Sequence, residues 1–133
     1  MRSQIHRTIV VMTALTLTAL LTAADATAQE IYMGTFPQQS GEDLFKNICQ
    51  GCHMPDAKGA IGAGAYPALA DNPRLKAAIY PVVVVLHGQR AMPSFGDSLN
   101  DEQIANVINY VRTHFGNHYK DQVTPQVVKA QRH

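Results

Sequence analysis

Apolar positions change their rhythm along this chain, and each rhythm predicts a different element. In "SGEDLFKNICQ", Leu44, Phe45 and Ile48 share one face at i, i+1, i+4 spacing. Ser40 stands where an N-cap would, and Glu42 and Asp43 fall in the first turn, where the helix dipole favours negative charge. In "NDEQIANVINYVRTHFG", Ile104, Val107, Ile108, Val111 and Phe115 recur at helical spacing. Asn100 with Gln103 makes a capping pair, and Gly116 and Asn117 suit the stop. Between them, "DNPRLKAAIYPVVVVLHG" opens on Asn72 and Pro73, a good helix start. Four consecutive valines favour a buried strand. The flanking helices, and the lack of a second strand to pair with, predict a short helix with Pro81 in its first turn.

A different run lies at the front. Thr8 to Leu21 is apolar, threonine-rich and uncharged, with Arg2 and Arg7 before it and Ala26-Thr27-Ala28 after it. That order reads as a cleaved signal peptide over residues 1–28. An uncleaved anchor would need about 20 apolar residues. No later stretch is long and apolar enough to span a membrane. Residues 29–39 show no period and read as an arm. Residues 40–116 form the compact domain, and residues 117–133 a polar tail containing Pro125.

Export implies the periplasm, an oxidising compartment. Removing Arg2, Arg7 and Asp25 from the eleven basic and ten acidic residues leaves nine of each. A balanced chain has no basic stripe for nucleic acid and no polybasic membrane surface. It also predicts that a protein partner docks through apolar contact rather than a strong field. A mature chain of about a hundred residues buries only a modest core, so a large bound cofactor would add much to it.

The chemistry is concentrated in "CQGCHMPDAKG". Cys49, Cys52 and His53 form C-x-x-C-H, the attachment pattern of c-type haem. Two thiols add to the porphyrin vinyl groups, and the next residue then supplies the proximal nitrogen. A thioredoxin-like site wants a strand–helix setting in a parallel sheet. A structural zinc site wants four ligands, and no second cysteine pair exists. A plain disulfide needs no histidine. The other iron face needs a ligand or a guard. Met1 and Met12 leave with the signal, Met33 lies in the arm, and Met54 adjoins the proximal ligand. Met92 remains, 39 residues after His53 in "GQRAMPSFG", with Pro93 stiffening its loop. His87 is the rival ligand. His114, His118 and His133 read as ordinary surface histidines.

"GEDLFKNICQGCH", "YPALADNP", "LHGQRAMPSFGDSL" and "NDEQIANVINYVR" resemble, in that order, a class I cytochrome c. They are also similar to haem domains in cytochrome subunits of bacterial periplasmic alcohol and sugar dehydrogenases. The resemblance implies a small all-α cytochrome c fold wrapped around one covalent haem c, with His53 and Met92 as axial ligands. It makes Pro67 the residue whose carbonyl accepts a hydrogen bond from His53. It places Gly41 and Phe45 against Tyr110, and sets Leu69, Val85 and Phe95 along the haem. The glycine-rich "DAKGAIGAGA" becomes a loop over the haem edge. The lysine-rich collar of the mitochondrial type is missing.

The expected function is one-electron transfer rather than enzymatic turnover. The chain would serve as a soluble carrier or as the electron-accepting subunit of a periplasmic dehydrogenase. Contacts are expected at Ala91, Pro93 and the turn after Ala57. Two other classes stay open. One is a haem enzyme or sensor with an open iron position, which needs Met92 off the iron. The other is a thiol–disulfide oxidoreductase, which needs free Cys49 and Cys52.

Overall fold

The computed structural model describes residues 36–62 and 64–133. The signal-peptide reading and most of the arm lie outside those residues. Residues 36–133 form one compact unit.

The first helical rod has three contiguous stretches: α1 (Gly41–Leu44), a π-helical turn (Phe45–Cys49) and α2 (Gln50–His53). Ser40 caps it by accepting from the Asp43 N–H at 3.0 Å. The π turn was not expected. It places one wider turn that ends on the first cysteine, and such turns are frequent at functional sites. Pro73–Lys76 is a short 3-10 helix, started by the Asn72 side chain accepting from the Arg74 N–H. Then come α3 (Ile79–His87) and α4 (Asp101–Thr113).

The valine run is helical, as predicted. Val82 and Leu86 are buried four residues apart, while Ile79 and Val83 on the other side are exposed. Pro81 and Val82 are also buried side by side, and a strand's alternation would have put those two on opposite faces. Pro81 sits in the first turn, where its missing N–H costs little. On α4 the predicted capping box is present. Asn100 accepts from the Gln103 N–H, and the Gln103 side chain accepts from the Asn100 N–H, both at 2.9 Å.

The first rod and α4 cross closely. A Cβ on Gly41 would lie 2.2 Å from the Asn106 backbone oxygen, so only glycine allows this approach. Phe45 meets Tyr110 with ring centroids 5.9 Å apart, and Phe115 at 4.7 Å. The pairing implied by the family resemblance is therefore observed.

Two features go beyond the sequence expectations. The fold is mostly helical but not purely so. The glycine-rich loop forms a small antiparallel pair, β1 (Ala60–Ile61) with β2 (Ala65–Tyr66). Two-residue strands carry no apolar alternation, so the sequence pattern could not announce them. The polar tail, in turn, is a packed strap. It folds back along α4 and contains α5 (Pro125–Lys129), capped by Thr124. Val123 and Val128 are buried. The Asn109 side chain takes both the N–H and the C=O of Val123, each at 2.8 Å. A few well-spaced apolar residues were enough to anchor a segment whose average is polar.

Arg112 on α4 is almost fully buried. It donates to the Leu75 carbonyl at 2.9 Å, to the Asp121 backbone oxygen, and to both Asp121 carboxylate oxygens at 2.7 Å. It thereby joins the 3-10 helix to the strap. Asn117, read as a helix stop, is also buried. It donates to Leu69 and Val111 carbonyls and accepts from the Asn72 N–H.

Candidate haem-binding site

A cleft of about 1070 Å³ opens between the first rod, the 60–69 segment, α3 and the 89–95 loop. It lies just above the roughly 300–1,000 Å³ of most small-molecule and cofactor sites. Cys49, Cys52 and His53 line it, and so do Pro67 and Met92. Every candidate site residue from the sequence thus meets in one cavity. Leu69, Val85 and Phe95 form part of its wall, joined by Val107, Ile108 and Val111 of α4.

Helix geometry explains the cysteine–histidine cluster. Cys49 closes the π turn, and Cys52 and His53 occupy the last turn of α2. Neither cysteine is in a disulfide; Cys49 is half-buried and Cys52 exposed. Burial pushes the Cys49 thiol up to about 11. A thiol used for disulfide exchange needs the opposite shift, toward thiolate.

His53 is buried and its Nδ1 donates to the Pro67 carbonyl at 2.9 Å. A carbonyl can only accept, so Nδ1 carries the proton and Nε2 keeps its lone pair. That is the tautomer a metal-ligating imidazole needs, held by an outer hydrogen bond. The turn after His53 fixes both partners. Gly59 N–H donates to the His53 carbonyl at 3.0 Å, and the Ala57 carbonyl accepts from Leu69 and Ala70. Ala57 and Gly59 both have positive φ. A Cβ on Gly59 would lie 2.1 Å from the Tyr66 oxygen and 2.9 Å from the Pro67 oxygen.

Met92 sits in a tight turn in which Gln89 and Met92 exchange backbone hydrogen bonds at 3.0 Å. His87 does not line the cleft. Its Nε2 donates to the Gln131 carbonyl at 2.8 Å.

Three cleft residues escaped the sequence reading: Lys58, Arg74 and Arg90. No Asp or Glu lines the cleft among the described residues. They are separated by 16 residues at each step and follow no motif, so nothing local marks them. The donor set fits a c-type haem. There are two thiols for thioethers, an imidazole with a free nitrogen, a thioether and an apolar wall. Three cations suit the two carboxylates a haem carries. Around the mouth, Ile61 is 95% exposed, with exposed Tyr66, Ala91 and Pro93 nearby in the lining.

The family described as "Cytochrome C oxidase, cbb3-type, subunit III" matches residues 37–111. The gluconate 2-dehydrogenase cytochrome c subunit of Pantoea cypripedii is 31% identical over 125 residues, covering 85% of this chain and 28% of that protein. The cytochrome c subunit of the quinone alcohol dehydrogenase of Gluconacetobacter polyoxogenes is 32% identical over 112 residues, covering 74% and 24%. Cytochrome c6 of Diacronema lutheri is 35% identical over 81 residues, covering 58% of this chain and 95% of that protein. The chain thus spans about a quarter of the dehydrogenase subunits it matches and aligns with nearly all of a cytochrome c6. A C-x-x-C-H turn, a tautomer-fixed histidine and an apolar cleft, together with these matches, place the chain in the family of monohaem class I c-type cytochromes.

Proposed function

We propose that the protein is a periplasmic one-electron carrier, or the electron-accepting subunit of a dehydrogenase. In this reading Cys49 and Cys52 hold one haem c through thioethers, and His53 and Met92 are its axial ligands. The haem, when bound, supplies a one-electron couple between ferrous and ferric iron. The chain does the rest. Pro67 holds the His53 ring in one orientation, so the ligand need not reorganise between states. The apolar wall excludes water and, with the methionine thioether, favours the reduced form. Lys58, Arg74 and Arg90 balance the haem carboxylates. Ile61, Ala91 and Pro93 surround the mouth as an apolar contact surface for a redox partner.

The observation that carries the reading is the His53 Nδ1 to Pro67 contact inside a cleft that Met92 also lines. The names of the dehydrogenase cytochrome subunits support a dehydrogenase as partner. One absorption spectrum of the purified protein tests the function. A six-coordinate c-type haem is expected in both oxidation states. A five-coordinate iron would favour an enzyme or sensor, and no haem would favour thiol chemistry.

A further inference from the structure

The loop that carries Met92 is held at both ends by two adjacent residues near the C-terminus. At its start, His87 Nε2 donates to the Gln131 carbonyl at 2.8 Å. At its end, the Arg132 guanidinium donates to the Gly96 carbonyl and, at 2.8 Å, to the Leu99 carbonyl. The same guanidinium meets Asp101 in the first turn of α4 at 2.5 Å. Both side chains of that ion pair are less than a third exposed, so water screens it less than a surface pair.

Between those anchors the loop lies back on the end of α3. Ser94 Oγ donates to the Leu86 carbonyl at 2.5 Å. The Phe95 N–H donates to Val85 at 2.9 Å and the Gly96 N–H to Leu86 at 3.2 Å. The strap cannot slide to relax this grip. Val128 is fully buried, and Asn109 holds Val123 by both backbone groups. A flexible tail would lose more by ordering itself than one exposed hydrogen bond returns. Here buried valines fix the strap first, and Gln131 and Arg132 arrive already ordered.

We propose that Arg132 is a positioning residue for Met92. By fixing the Gly96–Leu99 end of the loop, while Gln131 fixes the His87 end, it keeps the thioether facing the cleft. It also raises the cost of swinging the loop away. The inference rests on the reading of Met92 as an axial ligand.

Imidazole added to the oxidised holoprotein is the probe, because it can bind the iron only after the methionine leaves. In Arg132→Ala, and in a chain ending at Ala130, imidazole should bind about tenfold more tightly than in the wild type, the factor that one lost hydrogen bond to a charged group implies. Asp101→Asn loosens the guanidinium and keeps its carbonyl contacts. It should shift in the same direction by less, and it serves if the stronger variants do not fold. Ile104→Val, a buried change away from the cleft, should lower the melting temperature and leave imidazole affinity as it was. Hydrogen exchange should quicken over residues 89–96 in Arg132→Ala and stay slow in α4. Imidazole affinity within about twofold of the wild type in folded Arg132→Ala, or an equal gain in Ile104→Val, would overturn the proposal. Loss of protection spread evenly over the molecule would do the same. If the wild type lacks a sulfur-to-iron band, the ligand reading fails instead, and hydrogen exchange alone then decides whether Arg132 holds the loop.

Discussion

His53 and Pro67 are joined through a turn that leaves no room for a side chain at Gly59. Nδ1 of the histidine donates to the proline carbonyl at 2.9 Å, and a Cβ on Gly59 would lie 2.9 Å from that oxygen. Gly59 also has φ +67. Gly59→Ala should therefore push the Pro67 carbonyl off the imidazole. Overpacking of this kind costs about 1–3 kcal/mol, with backbone strain added. The measurements are the denaturant midpoint and the reduction potential of the holoprotein. An unchanged potential with a lowered midpoint would mean that the contact orients nothing at the iron.

Covalent attachment through Cys49 and Cys52 predicts that haem survives acid–acetone extraction and denaturation. The mass of the mature protein should exceed the bare polypeptide by one haem. Replacing both cysteines with alanine should leave little folded protein, because a domain of about a hundred residues cannot spare its largest apolar component. A mass equal to the polypeptide alone sinks the proposal.

Met92→Ala should abolish the near-infrared sulfur-to-iron band of the oxidised protein and lower the potential. His87→Ala should leave both in place, since His87 faces the Gln131 carbonyl and not the cleft. Survival of the band in Met92→Ala would transfer the role elsewhere.

Asp121 gives a pH signature. Two hydrogen bonds from the buried Arg112 guanidinium hold its carboxyl below the usual 3.8. Because the folded value is depressed, its contribution to stability is present above the unfolded value. It is lost as pH falls through the folded one. Stability of the wild type should thus decline below about pH 4. Asp121→Asn should be less stable at neutral pH and lose less on acidification. Parallel pH profiles for the two proteins would show that the pair contributes nothing.

Docking through the apolar mouth predicts weak salt dependence. Nine acidic residues match the nine basic ones after residue 28, and Lys58, Arg74 and Arg90 in the cleft would balance the two carboxylates of a bound haem. Reduction by a co-purifying dehydrogenase should change by less than about tenfold between low and physiological salt. A steeper fall would show electrostatic steering. Ile61→Asp should slow the reaction without altering the spectrum, since Ile61 is almost wholly exposed.

Several features were readable along the chain because their causes are local. Cys49, Cys52 and His53 fall within five residues, and one helical turn brings them together whatever else the chain does. The same holds for the Ser40 cap, the Asn100–Gln103 box and the apolar stripe of α4, each set by spacings of three or four residues. The sequence by itself therefore determined the attachment motif and the main helices. It pointed to Met92 by elimination among the methionines and to Pro67 through family resemblance, because neither spacing requires a contact with His53. The tertiary structure decided everything that joins distant residues. It brought Lys58, Arg74 and Arg90 to one cleft, buried Arg112 against the strap, and clamped the Met92 loop with Gln131 and Arg132. Those groups are 9 to 44 positions apart. At such separations no periodicity links them, and only the packed backbone fixes which carbonyl each side chain meets.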